Sequence, residues 1–367
     1  VKVALVHDYL NQYGGAERVL EILHGMFPDA PVYTLIYDHR RMPDFFKDWH
    51  IIESFLGKLP FNRRHYEKYF FLMPLAIESF NLNDYDLIIS ISSAWAKGVI
   101  TMPSATHINY MLNPMRFVWH SYQPLMKSRK GLNKILLFIG LHSIRLWDEI
   151  TSNRPDVIIG ISKTVAKRIE KFYGIKPPII YPPVNTKFFT PDKRVKKEDF
   201  FLIVSRLRPY KRIDIAISAF NDLKLPLLII GEGLHKGELV RQARRNIQFL
   251  GKRSDEEVRS HYRRARAVIF PTFEDFGIVP LEASACGTPV IAFKAGGATE
   301  TIEEGKNGTF FYPQSEEALK EAIVHFRDGD FDMEEVRKVS LKFSEEQFIS
   351  NMRGVIEKFT GYNNKQV

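Results

Sequence analysis

Three segments of this 367-residue chain carry residue types that can bind and polarise a phosphorylated ligand. The first is Ser205-Arg206-Leu207-Arg208-Pro209-Tyr210-Lys211-Arg212, directly behind the apolar run 200–204. Arg206 falls at the end of that run and Lys211 close to the start of the next helical pattern. An arginine fork and a lysine point charge together suit a diphosphate. A solvated basic loop is the simpler alternative. The second segment is Pro271-Thr272-Phe273-Glu274-Asp275-Phe276-Gly277-Ile278-Val279-Pro280-Leu281-Glu282-Ala283, behind the run 267–270. Glu274 falls in the loop, Gly277 permits close backbone approach, and Pro280 is tolerated in a first helical turn. Amides from Phe276, Gly277 and Ile278 onward suit an anion or a sugar, and Glu282 adds a carboxylate for hydroxyls about one turn later. Helix capping by Glu274 and Asp275 is the alternative here. The third is Tyr13-Gly14-Gly15-Ala16-Glu17-Arg18, where a helix starts behind two glycines and Gly15 lets a phosphate approach. A tight turn with no ligand needs the same glycines.

The elements that must position these segments are short apolar runs alternating with amphipathic stretches. Strands are expected at 3–6, 31–35, 87–91, 108–111 and 157–160, then at 200–204, 227–230, 247–250, 267–270 and 289–292. Helices are expected at 16–26, 64–80, 133–151 and 163–173, then at 213–222, 236–244, 255–263, 279–285 and 316–326. Continuously apolar strands between helices imply parallel sheets covered on both faces. Tyr181-Pro182-Pro183-Val184-Asn185 and the charged stretch 192–199 read as a linker. The fold class is therefore α/β, with two doubly wound domains in tandem. They are expected at 1–185 and 186–345, with a C-terminal helix within 346–367 crossing back to the first. A cleft between them would hold one substrate on each side.

Composition narrows the chemistry. Hydrophobic residues make up 45% and charged residues 26%, an ordinary globular balance. A single cysteine, Cys286, excludes an intrachain disulfide and a cysteine-built zinc cluster, and suits a reducing compartment. The start Val1-Lys2-Val3-Ala4-Leu5-Val6-His7-Asp8 reads as a strand closed by charge rather than a signal peptide, and no run is long enough to cross a membrane. The net charge is +9, and residues 1–190 hold 23 basic against 16 acidic side chains. The excess gathers at Arg63, Arg64, His65 and Lys68, and at Lys127, Arg129, Lys130 and Lys134, each cluster beside an apolar run. That pairing fits an anionic membrane surface as well as it fits a solvated helix face over a core. No nucleic-acid-binding module is recognisable, so nucleic acid is not an expected partner.

The Gly-Gly-Ala-Glu-Arg turn, the Ser-Arg-Leu…Lys segment, the glutamates Glu274 and Glu282, and Gly296-Gly297-Ala298-Thr299-Glu300-Thr301-Ile302 together resemble the retaining glycosyltransferases of the GT-B fold, family 4, over nearly the whole chain. The resemblance implies two Rossmann-like domains facing a cleft. It implies a nucleotide-sugar donor whose diphosphate is clamped by Arg206 and Lys211. Glu282 would take the ribose hydroxyls, Glu274 and the amides of 276–278 the sugar, and Gly251 and Lys252 with Arg253 would border the base. Gly15 would approach the phosphates from across the cleft. The catalytic set so implied is Arg206, Lys211 and Glu274, with no metal and no cofactor. The stretch His107-Ile108-Asn109-Tyr110-Met111-Leu112-Asn113-Pro114-Met115-Arg116-Phe117-Val118-Trp119-His120 is similar to mannosyltransferase-like members and adds Arg116 and His120 as sugar contacts. Those members often carry a histidine where this chain has Leu112. Either the pocket works without that imidazole, or His120 replaces it, or activity is reduced. The implied reaction moves a hexose, mannose from GDP-mannose foremost, onto a lipid-linked or oligosaccharide acceptor of the cell envelope, in the cytoplasm at the inner face of the plasma membrane. A GT-B epimerase or synthase, or an inactive nucleotide-sugar-binding partner of an assembly complex, are the alternatives.

Overall fold

The computed structural model describes residues 1–60, 66–127 and 130–362. The chain forms two compact units, Val1–Tyr181 with Ile349–Val367, and Pro182–Phe348. The break falls inside the proline-rich segment. Val184 already belongs to the second unit, where its amide donates to the Phe343 carbonyl at 2.8 Å.

In the first unit, β1 (Val3–His7), β2 (Val32–Thr34), β3 (Ile51–Glu53), β4 (Leu87–Ser92), β5 (Thr106–Met111) and β6 (Val157–Gly160) form one parallel sheet, ordered β3-β2-β1-β4-β5-β6. Its helices are α1 (Gly15–Met26), α2 (Met73–Glu78), α3 (Tyr122–Lys127), α4 (Gly131–Thr151) and α5 (Lys163–Tyr173). The central strands are apolar on both sides because both faces are covered: Leu5, Val6, Ile88, Ile89 and Ile108 have no solvent exposure. α5 shows ordinary helix punctuation. Ser162 Oγ accepts from the Val165 amide, and Gly174 closes the helix in the left-handed conformation at φ 70°.

The second unit repeats the pattern with β7 (Phe201–Val204), β8 (Leu227–Ile230), β9 (Ile247–Gly251), β10 (Val268–Phe270), β11 (Val290–Phe293) and β12 (Gly308–Phe311), all parallel and ordered β12-β11-β10-β7-β8-β9. Around them run α6 (Ile213–Leu223), α7 (Lys236–Gln242), α8 (Asp255–Arg264), α9 (Ile278–Ala285), α10 (Ala298–Thr301), α11 (Glu316–His325) and α12 (Met333–Leu341), followed by α13 (Glu345–Thr360). In each sheet the strand order reverses once, between β1 and β4 and between β7 and β10. Open α/β sheets bind ligands outside the carboxyl ends of the strands at such a reversal.

The expected strands are present within a residue or two. Two short edge strands, β3 and β12, were not expected. The segment read as one helix over 64–80 differs as well. Its start, with Arg64 and the neighbouring Arg63 and His65, lies outside the described residues, as does Arg129. From Tyr66 to Leu72 the chain is 3-10, and α2 begins only at Met73. Pro74 explains the break: its ring fits a first turn but removes an amide and clashes with the preceding turn of a continuing α-helix.

Candidate functional site

The loop after β7 is held by backbone. Ser205 N donates to Ile230 O at 3.0 Å, and Leu207 N to Glu232 O at 2.9 Å. This close approach needs the glycines at 231 and 233. A side-chain carbon at Gly231 would collide with the Ser205 carbonyl, and one at Gly233 with the Leu207 carbonyl. Pro209–Lys211 then forms a single 3-10 turn, and Arg212, at φ 51°, turns the chain into α6. Lys211 is thereby aimed inward, with its side chain 11% exposed, while Arg206 stays exposed.

The loop after β10 comes to the same place. Gly297 N donates to Glu274 O at 2.8 Å, and side-chain carbons at Gly296 and Gly297 would collide with the carbonyls of Glu274 and Phe276. The Gly-Gly pair is thus what lets α10 start directly beneath the carboxylate loop. Gly277, at φ 89°, then opens α9. Only glycine adopts that conformation cheaply. The first-turn amides of α9, from Ile278 on, have no partner within the helix and carry its positive dipole end.

Lys211 Nζ donates to Glu274 Oε1 in an ion pair that joins the two loops at the β7–β10 reversal. Lys211 also lies 5.2 Å from the centre of the Tyr210 ring. Glu282, on α9, is 6% exposed, and its Oε2 accepts from Tyr262 OH at 3.0 Å. Gly251, at φ 74°, ends β9, its carbonyl accepts from Gly231 N at 2.8 Å, and Lys252 follows it exposed. Cys286, at the end of α9, is buried, and burial pushes its thiol up to about 12, so it is not a nucleophile. The strand ends therefore offer a shielded cation, a carboxylate able to exchange that cation for hydroxyls, and a helix N-terminus. A ligand with a diphosphate and a polyhydroxylated part matches that set.

The other expected residues lie in the first unit. Gly15 is the first residue of α1, and a side-chain carbon there would meet nothing within 4 Å. Arg116 and His120 are exposed on the turn after β5, where Ser121 N donates to Arg116 O at 2.8 Å. Leu112, just ahead, bonds through its amide to Ser92 O at 2.8 Å.

Sequence reasoning missed three groups. Asp8, at the end of β1, accepts from the amides of Ser93, Ala94, Trp95 and Ala96 at 2.7–2.9 Å and from Ser93 Oγ at 2.9 Å, fixing the loop after β4 at the strand reversal. The signal was a carboxylate closing an apolar strand, but its partners lie more than eighty residues on. Lys97 and Asp148 form an ion pair, 1% and 0% exposed, and Asp148 Oδ2 also accepts from Trp119 Nε1 and Tyr173 OH, each at 2.7 Å. Gly231-Glu232-Gly233 was visible as a Gly-x-Gly after a strand. Among the described residues no group of three or more His, Cys, Asp or Glu could hold a metal ion.

Comparison with known proteins fits this geometry. Residues 185–338, most of the second unit, match the family "Glycosyl transferases group 1". An uncharacterized glycosyltransferase of Methanocaldococcus jannaschii is 29% identical over 257 residues, 64% of this chain and 71% of that protein. The GDP-mannose-dependent alpha-(1-6)-phosphatidylinositol monomannoside mannosyltransferase of Mycolicibacterium smegmatis is 30% identical over 201 residues, 47% of this chain and 53% of the relative. Among solved structures, HepE of Anabaena in complex with UDP-glucose is similar at TM-score 0.72 and 18% identity, covering 98% of this chain and 100% of that one. Sucrose-phosphate synthase of Thermosynechococcus elongatus is similar at TM-score 0.78 and 18% identity, with the same coverage. The two sheets are those of the GT-B fold, and the second unit is a glycosyl transferases group 1 domain. The protein is a glycosyltransferase.

Proposed function

We propose that this glycosyltransferase moves a hexose from a nucleotide-sugar to an acceptor hydroxyl with retention at the anomeric carbon, and that the donor is GDP-mannose. The observation that carries the reading is Lys211 paired with Glu274 at the strand reversal of the group 1 domain. In the donor complex the diphosphate takes Lys211 from Glu274, with Arg206 as second cation. The released Glu274 carboxylate, with the amides of 276–278, holds the sugar. Glu282 binds the ribose, and Gly251 and Lys252 border the base. The acceptor oxygen attacks the anomeric carbon on the face the diphosphate leaves. The carbon–oxygen bond to phosphate breaks, and the acceptor proton passes to the departing phosphate oxygen. No side-chain nucleophile takes part. The cations and the α9 amides supply the positive charge, so no metal is required.

The mycobacterial relative, a GDP-mannose-dependent phosphatidylinositol monomannoside mannosyltransferase, supports mannose, GDP and a lipid-borne acceptor for this reading. The product class is a cell-envelope polysaccharide or glycolipid, made at the inner face of the plasma membrane. The test is a thermal-shift panel of GDP-, UDP- and ADP-sugars. A true donor at 100 times its dissociation constant stabilises the fold by about 2.7 kcal/mol. GDP-mannose is expected to give the largest shift. A larger shift with another sugar nucleotide overturns the donor assignment, and no shift with any of them overturns the site.

A further inference from the structure

α4 is committed to the core on one side only. Leu141 and Ile144 are buried there, and Asp148 closes the ion pair with Lys97. The opposite side carries Leu132, Ile135, Leu136, Ile139, Leu146 and Ile150, each 47–69% exposed. At 3.6 residues per turn these six fall within an arc of about 100°, a stripe along the helix whose one polar position, Ser143, bonds back to the Ile139 carbonyl at 3.1 Å. Phe71, 54% exposed, extends it, lying over Gly140, where any side-chain carbon would collide with its ring. A helix on a water-facing surface places charged and polar residues at such positions. A contiguous apolar face of this kind marks something that covers it.

The charge around the stripe says what that is. From residue 87 to residue 147 the chain contains no Asp or Glu, while Lys127, Lys130 and Lys134 are exposed around the start of α4. Of the two carboxylates on α4, Asp148 is consumed by Lys97, leaving Glu149. A second copy of the chain would bring like charges together against this face, whereas an anionic bilayer complements it. No helix among the described residues, α4 included, is long and apolar enough to cross a membrane, and an apolar stripe beside lysines suits a helix lying in the interface plane. We infer that α4 docks the first unit on an anionic lipid bilayer, its aliphatic stripe entering the acyl boundary and its N-terminal lysines meeting the headgroups. The inference does not rest on the identity of the donor.

The experiment is co-sedimentation of the full chain with vesicles of phosphatidylcholine alone and with an equal part of phosphatidylglycerol. Binding is expected to the anionic vesicles only and to weaken as salt rises. Replacing Lys127, Lys130 and Lys134 with alanine lowers partitioning about fivefold per lysine at low salt. Ile135→Asp with Ile139→Asp lowers it by at least about tenfold. Both variants change exposed positions, so an unchanged circular dichroism spectrum and unchanged nucleotide-sugar affinity are expected alongside. Three results overturn the inference: no binding by the wild type, equal binding to neutral vesicles, or a wild-type dimer in light scattering that the Ile135→Asp, Ile139→Asp variant converts to monomer. The last would show that a second copy covers the stripe.

Discussion

Replacing Lys211 with alanine separates two effects that the structure makes distinct. The lost side chain is 11% exposed and its partner Glu274 is 27% exposed, so the carboxylate left behind reaches water. The stability cost is therefore on the order of 1 kcal/mol, nearer to an exposed pair than to a buried one. The chemical cost is larger. Negative charge on the diphosphate grows as the glycosidic bond breaks, so a fixed cation beside it binds the transition state better than the ground state. Losing one such preorganised charge costs about 2.7–4 kcal/mol, or about 10²–10³ in kcat. Arg206→Ala follows the same direction, and Lys211→Arg does not fully restore activity, because a planar fork does not replace a point charge. The assay is nucleotide release over a range of donor concentrations, with urea unfolding as the control for folding. A higher KM with undiminished kcat in both variants would mean uniform binding and demote both residues to docking charges.

Glu282→Ala is expected to weaken nucleotide binding by roughly 1.5–3 kcal/mol in a folded protein, measured by calorimetric titration. Unchanged affinity removes the ribose assignment. Asp148→Asn leaves Lys97 buried and unpaired, so it should destabilise by about 3–5 kcal/mol, a fall of roughly 6–20 °C in Tm for a unit of this size; a Tm within error of wild type would contradict it. Burial holds His107 down to about 3, with Ser90 Oγ 2.7 Å from its Nε2. Below the ordinary value of 6.5 the unfolded chain binds this proton and the folded chain does not, so folding loses about 1.4 kcal/mol per pH unit as pH falls from 6.5 toward 3. His107→Gln should flatten urea-derived stability over that interval; an unchanged slope assigns it to other groups.

The loops after β7 and β10 were legible because each follows a strong apolar strand and ends at a glycine or proline whose backbone demand is local. Arg206, Lys211, Glu274 and Gly277 could be placed at strand ends from spacing alone. What spacing does not carry is contact at a distance: Lys211 with Glu274, Asp8 with the amides of 93–96, Lys97 with Asp148. β3 and β12 escaped because Ile51-Ile52-Glu53 and Gly308-Thr309-Phe310-Phe311 lie at sheet edges and carry only two consecutive apolar residues each, without the continuous apolar run of the inner strands. α4 was recognised as a helix, but its apolar residues lie on both faces, so periodicity could not tell which face meets the core. Pro74 is the local signal for the break at 72–73, since proline fits a first helical turn but not a helix interior.

The most direct test of the central claim is nucleotide release from GDP-mannose by the purified protein in EDTA, with and without acceptor lipid. Measurable GDP release is expected without added metal, faster with acceptor, and reduced about 10²–10³-fold in Lys211→Ala. A folded wild type that releases no nucleotide from GDP-, UDP- or ADP-sugars, or one whose release survives loss of both Lys211 and Arg206, would contradict it.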